Sequence, residues 1–373
     1  MPDSDAGGLP EVVPVIMAGG VATRLWPLSS PQSPKQFHTL TSPRTMIQET
    51  VLRVRSAPGL RFADPIVVCN RRHVGDVRDQ LAEIGVNPSL IVSEPFGRNT
   101  AAVAALAGRL VAQRHPGSFA LLLPADHLIG NAAGFAAAVA IGVRAEGRIV
   151  TFGIEPREPE DGYGYIHRGR PLAPGVFTVE RFVEKPSRTV ATAYIADGGY
   201  LWNSGIFLFR PEIVAAEFAA HRPEIAKAIA GCVESAAIVA GVLELPDEGF
   251  AAVPSESFDV AIMERTRRAA VTPCDIDWTD IGSWSELWRL GPLDPDGNRL
   301  EGDVVTLDTT DSLVWSDGPS VGVVGLDNVV IVAADGAVLV TSKTRAQSVR
   351  RIAEAFADRG RNAERNGATP AKS

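Results

Sequence analysis

Short apolar runs bounded by turn residues recur through the first part of the chain, at 12–17, 66–69, 90–92 and 119–123. Between them, residues 45–55, 74–84 and 101–112 carry apolar positions at helical spacing. Short buried strands alternating with helices of this length predict parallel βαβ units, and so an α/β fold. Pro14 cannot donate to a ladder, which places it near the start of its strand. A further helix over about 132–146 leads into an apolar strand at 149–154.

The pattern then changes. Segments 162–166, 176–183 and 202–209 read as strands of a mixed sheet added to the parallel one, followed by Ala-rich helices over 211–220 and 223–240. Gly291-Pro292-Leu293-Asp294-Pro295-Asp296-Gly297-Asn298 is a dense turn cluster and the expected linker. Beyond it, roughly five short Val-rich strands are expected up to Val340. Val349, Ile352, Ala353 and Phe356 then fall at helical spacing over about 344–356. The expected organisation is a tail at 1–11, a large domain at 12–290, a small β domain with a terminal helix at 291–356, and a tail at 357–373.

Composition narrows the function classes. The 373 residues are 45% hydrophobic and 21% charged, which excludes wholesale disorder. A net charge of −8 argues against a phosphate-tracking nucleic-acid surface. Three scattered cysteines, Cys69, Cys232 and Cys274, exclude a disulfide framework. The first residues lack a signal peptide's basic start and apolar core, and no apolar run reaches the ~20 residues of a bilayer span. A cytoplasmic protein acting on small molecules is expected, with neither membrane nor nucleic acid as partner.

Chemistry first enters after the opening strand. Ala18, Gly19, Gly20 and Thr23 form a small-residue loop whose N–H groups can converge on a phosphate, with Arg24 and Lys35 as nearby cations. No Gly-Lys dipeptide exists, so a Walker A loop is excluded. A surface βα turn with two solvated cations accounts for these residues equally well. Asp126 follows an apolar strand at its carboxyl end, where open α/β sheets place ligands. Asp280 sits in a turn-like Trp-Thr-Asp-Ile-Gly. Two carboxylates brought together can hold a Mg²⁺ that binds substrate phosphates; singly, each is an ordinary cap or turn residue. Gly318-Pro319-Ser320-Val321-Gly322 matches a hydrolase nucleophile pattern, but no helix follows it and it reads as a turn.

Seven motifs stand in order: Ala18-Gly19-Gly20-x-x-Thr23-Arg24-Leu25-Trp26-Pro27-Leu28 with Pro34-Lys35-Gln36-Phe37; Glu94-Pro95-x-Gly97-Arg98-Asn99-Thr100-Ala101; Pro124-Ala125-Asp126-His127; Gly162-Tyr163-Gly164-Tyr165-Ile166; Phe182-Val183-Glu184-Lys185-Pro186; Trp202-Asn203-Ser204-Gly205-Ile206-Phe207; and Trp278-Thr279-Asp280-Ile281-Gly282-Ser283-Trp284. Together they resemble the sugar-1-phosphate nucleotidylyltransferases, in the mannose-1-phosphate guanylyltransferase branch, over about residues 12–356.

The resemblance implies a Rossmann-like (GT-A-like) nucleotidyltransferase domain with a mixed sheet, and a short left-handed β-helix used in self-association as a homodimer. It implies GTP and mannose 1-phosphate as substrates and Mg²⁺ as cofactor, held by Asp126 and Asp280. Arg24, Lys35 and Asp126 would be catalytic, and Asn99 and Thr100 would join the first loop beside the nucleotide. Lys185 would bind the sugar phosphate and Glu184 a sugar hydroxyl, with Asn203 and the Gly164 backbone as further contacts. Tyr163, Tyr165 and Phe207 are expected to pack rather than to bind. Bifunctional members carry a downstream isomerase domain, which this chain is expected to lack. Another sugar or nucleotide, or a silent binding homologue, are the competing readings. Ala22 departs from the usual Gly-Gly-x-Gly-Thr-Arg loop, and a modest effect of Ala22→Gly is expected.

Overall fold

The computed structural model describes residues 9–20 and 23–365, with side chains to 359. Val21 and Ala22, and so the expected departure in the first loop, lie outside the described residues. By compactness the chain forms two units, 1–19 with 47–279, and 20–46 with 280–373. The linear boundary expected near 290 falls inside the second.

The first unit carries one large sheet. Its strands are β1 (Glu11–Ala18), β2 (Arg61–Phe62), β3 (Ile66–Asn70), β4 (Leu90–Glu94), β5 (Phe119–Pro124), β7 (Ile149–Ile154), β8 (Tyr165–Ala173), β9 (Val176–Val183), β10 (Tyr200–Phe209), β11 (Ala237–Val239), β12 (Val242–Glu244) and β13 (Ala269–Pro273). A separate ribbon pairs β6 (Leu128–Ile129) with β14 (Trp278–Thr279). The sheet order is β11-β12-β4-β3-β1-β5-β10-β7-β13-β9-β8, with β2 beside β1. Helices α1 (Met46–Leu52), α2 (Val74–Glu83), α3 (Asn99–Arg114), α4 (Ala132–Gly142), α5 (Arg188–Asp197), α6 (Pro211–His221), α7 (Pro223–Ser235) and α8 (Asp247–Ala251) fill the crossovers and the added segments. The buried apolar residues of β1, β3, β4 and β5 and the Ala-rich inner face of α3 form the main core. Burial on both sides explains why these strands read as continuous apolar runs.

Register fixes a functional edge. β1, β3, β4 and β5 run parallel, pairing Ala18 with Cys69, Asn70 with Glu94 and Met17 with Pro124, so their carboxyl ends are level. β10 runs antiparallel and pairs Asn203 with Gly153 near the carboxyl end of β7, which brings Asn203 to the same edge. The mixed sheet is thus as expected.

Three local expectations change. Pro14 is the fourth residue of β1, not near its start. It is tolerated because on one side of β1 the pairing with β2 ends at Val12 and the pairing with β3 begins at Val15, leaving Pro14 between them. The helix expected over 223–240 stops at Ser235, and the rest is the β11–β12 hairpin. Ala240 and Gly241 both have positive φ (48° and 79°), the signature of a tight hairpin turn, and pairing of β12 with β4 overrides the local Ala content. The terminal helix runs beyond Phe356.

The second unit carries α9 (Trp284–Leu290), β15 (Arg299–Glu301), β16 (Val304–Leu307), β17 (Leu313–Ser316), β18 (Val321–Val324), β19 (Val329–Ala334), β20 (Ala337–Ser342) and α10 (Val349–Arg365). β15, β17 and β19 stack in parallel, β16 pairs parallel with β18, and β20 closes antiparallel on β19. Successive coils stacked this way make a short β-helix around Val314, Val323 and Ile331. Residues 318–320 form a bend leading into β18, which takes in Val321 and Gly322, and the Ser320 hydroxyl donates to Asp303. Residues 20–46 join this unit, with the Trp26 and Phe356 rings stacked at 4.9 Å and the Trp284 indole donating to the Trp26 carbonyl at 3.0 Å.

Candidate active site

In the first unit the functional edge carries three groups of polar residues. Asp126 lies just past β5, its side chain 30% exposed, in a loop pinned from several sides. Ala125 N–H donates to the Met17 carbonyl (3.0 Å), Thr50 Oγ1 to the Ala125 carbonyl (3.4 Å) and Arg53 Nη1 to the His127 carbonyl (3.2 Å). The Trp278 indole donates to His127 Nδ1 at 3.2 Å. Tyr163 packs edge-on against both Trp202 and Trp278, while Tyr165 and Phe207 are buried, so all three pack as expected.

The second group is the sugar-phosphate set expected from sequence, and the structure brings it together. Lys185 Nζ pairs with Glu184 Oε1 at 2.9 Å, and Asn203 N–H donates to the Gly164 carbonyl at 2.8 Å. A Cβ on Gly164 would meet Glu184 Oε2 at 2.8 Å and Asn203 Cβ at 3.3 Å, so a larger residue here would displace the Glu184 carboxylate. Lys185 itself has φ 46°, a conformation side-chain-bearing residues avoid, held here between β9 and a proline. Two members were not legible in the sequence. Thr151, on β7, donates its hydroxyl to Asn203 Oδ1 at 2.7 Å, and the Asn203 amide donates to the half-buried Asp259 at 2.8 Å. Neither stands in a motif that suggests the contact.

The third group surrounds the start of α3. Asn99 adopts φ 63° and its Oδ1 accepts from Thr100 N–H at 2.8 Å. The cap position falls on Arg98, whose guanidinium instead donates to the Phe250 and Ala251 carbonyls. Thr100 Oγ1 accepts from Phe258 N–H at 2.8 Å. Glu94, at the carboxyl end of β4, is 5% exposed and its Oε1 meets no partner. Burial pushes its carboxyl up to about 8.

That shift makes a stability prediction. Glu94 binds its proton more tightly folded than unfolded, so stability is fully present below the ordinary carboxylate range and falls as pH rises towards about 8. Glu94→Gln, which stays neutral, is expected to flatten this slope and exceed the parent by on the order of 3 kcal/mol at pH 9, with little difference at pH 4. Chemical denaturation at pH 4, 6.5 and 9 measures it; parallel slopes in the two proteins would refute the assignment.

The second unit assembles the remaining candidates. Gly20, with φ 102°, and Thr23 lead into a single turn, Thr23–Leu25, while Ala18 and Gly19 close β1 in the first unit. Lys35 is buried in the turn Lys35–Phe37 and its ammonium donates to the Asp280 carbonyl. A Cβ on Gly282 would meet Arg24 Nη1 and Asp280 Oδ1, each at 3.1 Å. The guanidinium and the carboxylate therefore converge over a glycine, beside Ile281 at φ 46°. Glu286 Oε2 accepts from Gly282 N–H at 2.6 Å and Ser283 caps α9.

Among the described residues no three His, Cys, Asp or Glu side chains gather as a metal cage. Mg²⁺ does not need one, since it retains waters and takes one or two protein carboxylates plus substrate phosphates. Asp126 in the first unit and Asp280 in the second are each a hard oxygen donor that the fold leaves partly exposed, the donor chemistry such an ion takes.

The nucleotidyl transferase family profile matches residues 13–296, and a MannoseP isomerase/GMP-like beta-helix domain profile matches residues 302–355. A mannose-1-phosphate guanylyltransferase of Klebsiella pneumoniae is 42% identical over 348 residues, 92% of this chain and 73% of that protein. The xanthan biosynthesis protein XanB of Xanthomonas campestris pv. campestris is 44% identical over 355 residues, 94% of this chain and 74% of that protein. The crystal structure of a mannose-1-phosphate geranyltransferase from Thermus thermophilus superposes with a TM-score of 0.81 at 32% identity, covering 92% of this chain and 99% of that one. The chain belongs to the nucleotidyl transferase family.

Proposed function

We propose that the protein transfers GMP from GTP to mannose 1-phosphate, giving GDP-mannose and pyrophosphate. The observation that carries this reading is the closed cluster of Gly164, Glu184, Lys185 and Asn203 at the carboxyl edge of the sheet, in a chain 42% identical to a named mannose-1-phosphate guanylyltransferase. An oxygen of the sugar phosphate attacks the α-phosphorus in line, and the bond to pyrophosphate breaks.

The protein's part is positioning and neutralising charge. Lys185 holds the attacking phosphate and Glu184 accepts from a sugar hydroxyl. Ala18, Gly19, Gly20 and Thr23 offer the first loop to the triphosphate, with Asn99 and Thr100 on the side of the base. Lys35, fixed on the Asp280 carbonyl, grips the triphosphate, and Arg24 stabilises the charge developing on the transferred group and on pyrophosphate. Asp126 and Asp280 would hold Mg²⁺, which when bound supplies further neutralisation of phosphate charge.

In this reading the enzyme works in the cytoplasm as a homodimer. The net charge of −8 speaks against nucleic acid, and among the described residues no helix is long and apolar enough to cross a membrane. Val305, Leu307, Val324, Val338 and Val340 are apolar side chains exposed on the β-helix, of the kind self-association buries.

A coupled pyrophosphate-release assay across the four NTPs and several hexose 1-phosphates tests the reading. Turnover is expected to be greatest with GTP and mannose 1-phosphate. A clear preference for another pair would reassign the substrates. Binding without turnover in any pair would make the chain a silent homologue.

A further inference from the structure

The turn that follows β12 and α8 does more than pack. Residues 256–264 cross between the nucleotide-side loop and the sugar-phosphate cluster and are tied to both. Ala101 N–H donates to the Glu256 carbonyl at 3.1 Å, and Phe258 N–H to Thr100 Oγ1 at 2.8 Å. Arg222 clamps Glu256 with two hydrogen bonds of 2.6 and 2.7 Å. At the other end, Glu184 N–H donates to Glu264 Oε1 at 3.1 Å. Between these anchors Asp259 opens a π-helical turn, Asp259–Met263, a geometry often found at functional sites.

Asp259 meets the Asn203 side chain, and the inventory of that carboxamide is nearly closed. Asn203 Oδ1 accepts from Thr151 Oγ1 (2.7 Å) and from Gly205 N–H (3.2 Å), which uses both lone pairs. Of the two Nδ2 hydrogens, one goes to Asp259 Oδ1 at 2.8 Å. What the side chain still has to offer is a donor, so it suits an oxygen acceptor such as a hydroxyl or phosphate oxygen. A flipped amide would set Nδ2 against the Gly205 N–H and Oδ1 against the carboxylate. The carboxylate therefore selects the orientation.

We propose that Asp259 is a positioning residue for the sugar-phosphate substrate, holding the Asn203 carboxamide so that its second N–H is presented to an oxygen of that substrate. This rests on the substrate reading above. The groups facing Asp259 are Glu184 and Lys185 from the end of β9 and Asn203 from β10. Thr151 on β7 stands behind Asn203, and Glu264, at the far end of the same segment, holds the Glu184 backbone. Burial first, and then Glu184, push the Asp259 carboxyl up to about 7, against the opposing pull of Lys185 and the Asn203 amide. As an ionised acceptor Asp259 fixes the amide; once protonated, it can donate and holds the orientation less firmly.

The test is the KM for mannose 1-phosphate at saturating GTP, from pH 6 to 8.5, in the parent protein and in Asp259→Asn. The variant is expected to raise this KM at least tenfold at pH 8 while the KM for GTP changes less than twofold. The parent's KM is expected to rise more steeply towards pH 6 than the variant's. Ionisation of the substrate phosphate is common to both proteins and cancels in the comparison. An unchanged sugar-phosphate KM, or a loss confined to melting temperature and kcat, would overturn the proposal. Should Asp259→Asn fail to fold, Thr151→Val releases one lone pair of the same amide. It is expected to raise the sugar-phosphate KM three- to tenfold, and no change there would overturn the proposal as well. A parent protein without turnover on mannose 1-phosphate and GTP would instead defeat the substrate reading, and this inference with it.

Discussion

Asp126→Asn and Asp280→Asn are each expected to lower kcat by about 10³-fold or more, the largest effect among the residues considered. Metal-borne stabilisation of charge on transferring phosphates is worth several kcal/mol, and ~4 kcal/mol corresponds to about three decades in rate. Neither side chain belongs to the core, so the melting temperature should move by no more than a few degrees. The conservative Asp→Glu variants should keep measurable turnover while shifting half-saturation to higher Mg²⁺. Steady-state rates over a Mg²⁺ titration decide it. An Asn variant retaining more than a tenth of the parent rate would remove that carboxylate from the proposed ligands.

Lys185→Ala is expected to raise the KM for mannose 1-phosphate by about 10- to 100-fold, as fits a charge-assisted contact worth ~1.5–3 kcal/mol. The KM for GTP should change less than threefold, because Lys185 sits with Glu184, Gly164 and Asn203 rather than with the loop at the end of β1. Its side chain is 59% exposed, so little stability should be lost. Substrate titrations at saturating co-substrate separate the two constants. A raised GTP constant with an unchanged sugar-phosphate constant would move Lys185 to the nucleotide.

Much of this frame is legible in the sequence because burial and periodicity coincide. The apolar runs of β1, β3, β4, β5 and β7 stand where the strands form, and the polar loop residues follow at their ends. The cluster around Lys185 is legible through ordered motifs. What escapes is whatever depends on distant partners. Asp259 stands in a plain Ser-Phe-Asp-Val, and only its encounter with Asn203 shows it to be more than a surface acid. Thr151 looks like one more β-branched strand residue until its hydroxyl is seen on that same amide. The β11–β12 hairpin hides in an Ala-rich stretch because pairing with β4, about 150 residues earlier, outweighs local propensity. Nor does the linear pattern show that residues 20–46 share a unit with residues beyond 279.

That last arrangement has a consequence for how the chain comes off the ribosome. Leu25, Phe37, Leu40 and Met46 are buried in the finished protein, yet the C-terminal segment of their unit starts only at Asp280. At ~5–20 residues per second, these side chains wait roughly 10–50 s between emergence and the synthesis of their partners. The intervening first unit can complete its own sheet in that time, since its partners lie on either side of the waiting segment. Closing so long a loop makes the second unit the slow one to assemble. The newborn chain thus passes through a stage in which Arg24 and Lys35 belong to a segment whose partners, from Asp280 onward, have yet to be made.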